Sequence, residues 1–515
     1  LSMEQHLLSD AKTPVPSYDG LKSKSFQQFD TYTSALEKCD IGRYTLINLL
    51  VCGLAYLGAM SNIVGVQFVL PDVQSDFGIT TDSRIASVVI IYAGVSIGAG
   101  MFGLCGDVIG RRPVIIFFLS ACAVLNFINS ATLSFQGFIL YSALGCVCAG
   151  GTLPALWSYF IEFQMPIIRN KSFCLLSLFW ALSYIVPAGI PKLLLSTCYD
   201  FSYHYGFALW RVRLLISGIL SVVPVILLTF SQESPEFVLA SGDPKTSLAM
   251  LQSIHVKNKS SNNMVSVLVG DKQSENINLW MDESFSVRRV LCSFRNHLKE
   301  VPSNMKISTV SILLITGFGF YSSCYSTLIL LPELYKDIYS GNSSQIFITS
   351  AGLIRLNRTE ICEKSFNNQL YVGALLIQQV IVLGSILGAL FWMPKSNGKI
   401  VIFVCLMSVT LSILLIFGMK LKPFIYLFAA TSLPTVVGTA VYWCLCLSST
   451  TTAYRSTMAG IALSVCSLGT IVGYIIYYYL FIMNVRQFSI PVLIFSIGAI
   501  VSTRFLGDSG CSVSL

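Results

Sequence analysis

Eleven intervals of this chain run without a single Asp, Glu, Lys or Arg: 44–71, 85–106, 113–161, 172–191, 214–232, 307–332, 365–394, 400–419, 423–454, 456–485 and 487–503. They contain no His either. An apolar run of about 18 residues or more is long enough to cross the hydrocarbon core of a bilayer. Inside that core each backbone N–H and C=O must find its partner within its own segment, so such runs are read as helices. The interval 113–161 is too long for one crossing. The polar stretch Asn129-Ser-Ala-Thr-Leu-Ser-Phe-Gln-Gly137 breaks it into two helices, which brings the expected total to twelve. Composition agrees: 54% of residues are hydrophobic and only 11% charged, where soluble proteins carry about a quarter charged residues. The expected fold class is all-α and integral to the membrane.

Charge also assigns sides. An even number of crossings leaves both termini on one face, and Arg111, Arg112, Arg169, Lys171, Lys395, Lys399 and Arg455 fall in short loops on that face. The opposite loop 72–84 carries Asp72, Asp76 and Asp82 against Arg84. Basic loops stay in the cytoplasm, so both termini are expected there. The net charge of +8 follows from this distribution and gives no reason to expect nucleic acid as a partner. Residues 1–40 are polar and show no cleavable signal; the first apolar run, which is span-length, is expected to target the chain.

The sixteen cysteines do not form a disulfide scaffold. Most lie in or beside predicted spans, where cysteine acts as a small hydrophobe. Cys198 and Cys362 fall in predicted outward loops, and whether they pair stays open. No Cys/His spacing suggests a metal site, and no phosphate-binding loop or catalytic-triad spacing is present, so neither a cofactor nor an enzyme activity is expected.

The predicted organisation is a cytoplasmic tail over 1–43, a six-helix bundle over 44–232, a cytoplasmic central loop over 233–306, a second six-helix bundle over 307–505, and a cytoplasmic tail over 506–515. The two bundles carry traces of duplication. Gly110-Arg111 has a counterpart 288 residues on at Gly398-Lys399, and Glu162…Arg169 has one 286 residues on at Ser448…Arg455. The second copies are altered: Lys395 stands in the place of Asp107, and Ser448 in that of Glu162.

Several motifs carry a family likeness. They are Ala35-Leu-Glu-Lys-Cys-Asp-Ile-Gly42-Arg43 before the first span and Gly103-Leu-Cys-Gly-Asp107-Val-Ile-Gly110-Arg111-Arg112-Pro113 between the second and third. Tyr159-Phe-Ile-Glu162-Phe-Gln-Met-Pro-Ile-Ile-Arg169 follows the fourth, and Trp210-Arg211 opens the sixth. Gln232-Glu233-Ser-Pro235-Glu236-Phe237-Val-Leu closes the sixth, and the run Asp243-Pro-Lys-Thr-Ser-Leu-Ala-Met-Leu-Gln-Ser-Ile-His255 comes after it. In order and spacing these resemble the major facilitator superfamily of transporters, and within it the synaptic vesicle glycoprotein 2 and related-protein branch. The likeness covers roughly residues 30–260, and the second half shares only topology. It implies two six-helix halves that alternate access to a central site, with a monomer as the working unit in the plasma membrane or a vesicle membrane. The chain departs from the branch in three ways. Its first span lacks carboxylates and has Ala59, Ser61 and Asn62 in that region; Glu236 replaces an Arg; and the outward loop near 333–368 is too short for the branch's pentapeptide-repeat domain.

The resemblance implies a conformational latch made by Gly103, Asp107, Gly110, Arg111 and Arg112, which the glycines and the aspartate distinguish from simple basic anchoring. It further implies a cytoplasmic charge network of Glu162, Arg169, Glu233 and Arg455. An ionisable group at membrane depth is costly unless paired, which singles out Glu162. For solute contact the polar candidates are Asn62, Gln67, Gln378 and Gln379, and the aromatic ones Trp157, Trp180, Tyr184, Tyr321, Tyr325, Tyr442 and Trp443. Of these, Asn62, Trp180, Tyr184, Tyr325 and Tyr442 are singled out, Trp180 and Tyr325 because they match aromatic positions of the family's central site. Aromatic faces suit planar, neutral or cationic molecules. Asn342 and Asn357 begin outward sequons and are expected to carry glycan. The reading is a carrier of a small organic solute working by uniport or exchange, since the uncharged intervals hold no carboxylate. The alternative is a non-transporting membrane protein that keeps the fold to bind a ligand or partner.

Overall fold

The computed structural model describes residues 41–79, 81–165, 171–184, 208–241, 243–259, 307–325, 432–450 and 454–483, with isolated positions such as 35, 36, 39, 168 and 169. Asn342, Asn357, Cys198, Cys362, Gln378, Gln379, Lys395, Gly398 and Lys399 lie outside the described residues, as does most of the predicted central loop. In chain order the helices are α1 (Arg43–Phe77), α2 (Thr81–Val108), α3 (Arg111–Ser130), α4 (Phe135–Glu162), α5 (171–184), α6 (Leu209–Thr229), α7 (Pro235–Ala240), α8 (Pro244–Lys259), α9 (Ile307–Phe320), α10 (Ser432–Ser448) and α11 (Arg455–Met483). A π-helical turn, Tyr321–Tyr325, continues α9. No strand occurs among the described residues.

Of these helices, α1, α2, α3, α4, α6 and α11 each hold a stretch long and apolar enough to cross a membrane. Their lipid-facing sides are legible from exposed apolar residues at helical spacing: Ile90, Ile97 and Met101 on α2, Phe117, Val124 and Ile128 on α3, and Ile219, Val223 and Ile226 on α6. The long interval 113–161 does hold two helices. The α3–α4 break falls inside the Asn129–Gly137 stretch, where the Ser134 hydroxyl caps α4 by accepting from the Gly137 amide at 3.2 Å. Helix α1 runs past its uncharged interval because its outer carboxylates have partners on α6. Asp72 pairs with Arg213 at 2.5 Å, and Asp76 accepts from the Trp210 indole at 2.6 Å. Gly78, at φ 65, ends the helix.

Helices α1, α3, α4 and α6 pack on one another, and α2 lies between α4 and α11. The α2–α11 seam joins the first half of the chain to the second and is made of small residues. A Cβ on Gly103 would fall 2.8 Å from the Gly460 Cα, and one on Gly460 would fall 2.4 Å from the Ala99 carbonyl oxygen. Lipid tails are as apolar as leucine, so helices in a bilayer associate through this kind of close backbone approach. One turn further from the Asp107 end, the Ser96 and Ser464 hydroxyls meet across the seam at 2.9 Å.

Candidate functional site

The α2–α3 turn brings charge to the end of the seam. Gly110 sits at φ 119, a conformation that side chains rarely adopt, and a Cβ there would lie 2.8 Å from a Glu233 carboxylate oxygen. This turn sets Asp107 and Arg111 one helical turn apart, with Asp107 Oδ1 3.0 Å from Arg111 Nη2 and both side chains buried. Asp107 also reaches α11. Its carboxylate accepts from the Ser456 amide at 3.2 Å, and from the Thr457 amide and hydroxyl at 2.7 Å each. A carboxylate on free amides at a helix N-terminus satisfies orphan donors and complements the helix dipole.

Arg111 Nη2 donates to Glu162 Oε1 at 3.3 Å, and its Nη1 donates to the Gly106 carbonyl at 3.2 Å. The face of its guanidinium lies 4.4 Å over the Phe237 ring. Glu162 also accepts from Arg455 at 3.2 Å, which carries the network into the second half. Arg455 in turn forks onto Glu236: Nη1 to Oε2 at 3.1 Å and Nη2 to Oε1 at 3.3 Å. Arg169 Nη2 stands 4.0 Å from the same Glu236. Opposite charges therefore alternate from Asp107 through Arg111, Glu162, Arg455 and Glu236 to Arg169. Buried ions need such pairing, since each alone would bear a desolvation cost of several kcal/mol.

The expected latch and network residues divide into two groups here. Gly103, Asp107, Arg111, Glu162 and Arg455 meet between the halves of the chain, with Arg169 at the edge. Arg112 and Glu233 act within the first half. Arg112 donates to the Leu228 carbonyl at 2.9 Å and the Thr229 carbonyl at 2.5 Å, capping the end of α6. Glu233 accepts from the Arg112 amide at 3.2 Å and the Ser234 amide at 2.9 Å. Burial pushes its carboxyl above the usual carboxylate range, against the pull of those amides.

About 7.5 Å along α4 from Glu162, at 1.5 Å per residue, an aromatic cavity lies between the halves. Its lining includes Tyr56, Tyr92, Trp157, Trp180, Tyr321 and Ser467. Among the described residues, no Asp, Glu, Lys, Arg or His lines it. Trp157 of α4 and Trp443 of α10 stack beside it with ring centroids 4.1 Å apart. These indoles are 286 residues apart, the same offset that relates Glu162 to Ser448, so they occupy matching places in the two repeats. Their polar edges differ. Trp443 Nε1 donates to the Tyr321 hydroxyl at 2.9 Å, whereas Trp157 Nε1 has no hydrogen-bond partner among the described residues. Tyr321 opens the π-helical turn, a local widening of the kind often found at functional sites.

Of the residues singled out for solute contact, Trp180 lines the cavity, and Tyr184 packs edge-on against it at 5.7 Å. Asn62 is outside the lining: its amide donates to the Gly58 carbonyl at 2.7 Å and to Ser221 at 3.1 Å, and it accepts from Asn126. Tyr442 is also outside it, donating to the Leu313 carbonyl at 3.2 Å. The Tyr325 side chain lies outside the described residues. Tyr56 and Tyr92 were missed in the sequence. A sign was available for Tyr92, because Gln67, a polar group inside a span, needs a partner and donates to its hydroxyl. Glu236 was visible only as a departure from a motif.

The profile of the family described as "Sugar (and other) transporter" matches residues 24–362. Synaptic vesicle glycoprotein 2A of Homo sapiens is 29% identical over 231 residues, which is 44% of this chain and 31% of that protein. Synaptic vesicle glycoprotein 2B of Homo sapiens is 24% identical over 323 residues, 59% of this chain and 47% of that protein. The matched part is thus less than half the length of either relative. Among solved structures, the major facilitator superfamily proton:xylose symporter XylE, bound to 6-bromo-6-deoxy-D-glucose, superposes with a TM-score of 0.62 at 15% identity, over 90% of this chain and 95% of that one. A partially occluded inward-open form of XylE from E. coli gives a TM-score of 0.57 at 14% identity, over 90% and 97% of the two chains. The fold is the major facilitator fold, and the chain is a multi-pass membrane protein resembling the synaptic vesicle glycoprotein 2 branch.

Proposed function

Because the chain belongs to the Sugar (and other) transporter family, we propose that it moves a small, uncharged or cationic, flat organic solute across the membrane by alternating access, as uniport or exchange. The observation that carries this reading is the aromatic cavity between the halves, with its Trp157–Trp443 stack and the ionic network beyond it. Taking the basic loops as cytoplasmic, the network among them lies on that side, and the described arrangement is read as closed toward the cytoplasm. Trp180 supplies a flat face to the solute. Trp157 Nε1 supplies a hydrogen-bond donor, so the solute presents an acceptor atom there.

The test is solute uptake and counterflow in proteoliposomes, screening planar neutral and cationic compounds. A carrier shows counterflow that Trp180→Ala lowers. Thermal stabilisation by a compound without counterflow would make the protein a binding module that has kept the fold. A screen in which Trp180→Ala alters neither quantity would move the solute site away from this cavity.

A further inference from the structure

The first turns of α1 keep one face of the helix outside the protein core. Leu46, Ile47 and Leu50 are 57%, 58% and 54% exposed, whereas Asn48, Val51 and Cys52 on the other side are buried. Arg43 comes three, four and seven positions before these residues, so it heads the same stripe, and its side chain is exposed. Exposed leucine and isoleucine at the start of a membrane span meet acyl chains, and an arginine at their head stands at the level of the lipid headgroups.

A second cation is fixed beside the first. Asn258, in the last turn of α8, accepts from the Tyr44 amide at 3.0 Å and donates to the Cys39 carbonyl at 3.2 Å and the Thr45 hydroxyl at 3.3 Å. A Cβ on Gly42 would fall 2.7 Å from the Asn258 Cα, so the glycine lets α8 come this close. Arg43 and Lys257 are thus each one residue from the Tyr44–Asn258 bond, and Lys257 Nζ sits 5.4 Å from the Tyr44 ring centroid. Lys257 is exposed, and among the described residues neither cation has a carboxylate partner. The flanking sequence charges Glu37, Lys38, Asp40 and Lys259 cancel, so the pair sets the sign of this corner. The other lipid-facing stripes end differently. Those of α2 and α6 run out at exposed Ile109 and Phe230, and Arg112 at the head of α3 is held by α6 carbonyls.

We propose that Arg43 and Lys257 hold the headgroup of an anionic phospholipid whose acyl chains lie along Leu46, Ile47 and Leu50. The Arg43 fork matches two phosphate oxygens, and Lys257 meets the remaining negative charge as a compact ammonium. An anionic leaflet attracts basic residues at the edge of a span. Here α8 supplies the second of them, so lipid charge is read at one corner of the bundle. The site faces lipid, away from the aromatic cavity, and stands whether or not that cavity carries a solute.

The test follows thermal unfolding of the full chain in mixed micelles containing phosphatidylserine or phosphatidylcholine with the same acyl chains. Phosphatidylserine should raise the midpoint further, with half of the extra rise reached at a defined lipid fraction. A basic residue near an anionic surface strengthens lipid binding about fivefold, so R43Q and K257Q should each raise that fraction by about this factor. The double variant should lose the extra rise. R43K, K257R and K245Q, the last at the far end of α8, should titrate as the parent does. No extra rise in the parent, or an extra rise that persists in the double variant, overturns the site. Should the double variant not fold, parent-like titration in both single variants overturns it. Glycerophosphoserine, the headgroup without its chains, should give no rise. A rise equal to that of the whole lipid would make this a site for soluble phosphates and overturn the lipid assignment.

Discussion

Asp107 caps a helix that begins far beyond it in sequence: its Oδ2 accepts from the Thr457 amide at 2.7 Å across 350 positions of chain. A single carboxylate thus joins the end of α2 to the start of α11 while also holding Arg111. The seam behind it is close-packed and uncharged, with the Ser96 and Ser464 hydroxyls satisfying each other, so the charged end is where water can first separate the halves.

Asp107→Asn keeps the shape of this junction and removes its charge. The charge at a helix N-terminus is worth about 0.3–2 kcal/mol, with the higher figure for buried sites. At ~1.4 kcal/mol per tenfold, the ratio of closed to open molecules should fall roughly two- to thirtyfold. Labelling of a Ser456→Cys reporter from the cytoplasmic side should rise accordingly while expression is retained. Labelling at the parent rate would reduce Asp107 to a basic turn's neighbour with no fastening role.

The seam makes its own demand. A Cβ on Gly460 would fall 2.4 Å from the Ala99 carbonyl oxygen, and backbone cannot give way as a side-chain tip can. Gly460→Val should force α2 and α11 apart and cost about 1–3 kcal/mol, the usual range for overpacking. A lowered midpoint of thermal unfolding, with no such change for Val at the lipid-facing Leu468, is the expected result.

Trp157 and Trp443 should be energetically coupled. Stacked aromatic pairs contribute about 0.5–1.5 kcal/mol beyond their buried area. A double-mutant cycle of Trp157→Ala and Trp443→Ala, followed by thermal unfolding, should return a coupling of that size. The pair Phe117→Ala and Trp443→Ala should return none, because Phe117 faces lipid.

The spans were legible because charges mark their ends; Glu162 drew notice because an ionised group at membrane depth needs a partner, while Asp107, Arg111 and Arg455 were named from the motifs and their spacing. What the sequence left open is which partner each takes. Asn62 looked available, but a polar group in a span can be satisfied by a carbonyl one turn away and a neighbour on another helix, and it takes Gly58, Ser221 and Asn126. Arg112 read as part of a latch and Glu233 as part of the charge network, and their hydrogen bonds run to the C-terminus of α6 and to each other. Trp157 stood among seven aromatic candidates with nothing to rank it. Only the fold brings it against the residue at the matching place in the other repeat. Glu236 read as decay of a motif, because the gain from reversing its charge depends on Arg455, 219 positions away.

Glu233 should leave a signature in the pH dependence of stability. Burial raises its carboxyl above the usual range, so the folded chain holds this proton more tightly than the unfolded one. The stability linked to it is complete below the ordinary carboxylate value and declines as pH rises through the raised value. Glu233→Gln removes that slope. The unfolding midpoint of the variant relative to the parent should therefore move upward between acidic and neutral pH. A difference independent of pH would mean that the carboxyl titrates alike in both states.

Coupling is the last consequence of the cavity's chemistry. A carrier driven by protons must bind and release one in its pathway, and that takes a titratable group reached alternately from each side. Among the described residues, the cavity lining holds Tyr56, Tyr92, Trp157, Trp180, Tyr321 and Ser467 but no Asp, Glu, Lys, Arg or His, the groups that exchange protons readily near neutral pH. The nearest carboxylate on α4, Glu162, is engaged by Arg111 and Arg455 at 3.3 and 3.2 Å. Giving it a proton would break the network rather than charge the cavity. An inward proton gradient imposed on proteoliposomes should therefore leave the initial rate of solute entry unchanged, and entry should not alkalinise the outside medium. If solute-linked alkalinisation does occur, Glu162 is the group to test: Glu162→Gln should then abolish proton movement while leaving counterflow in place.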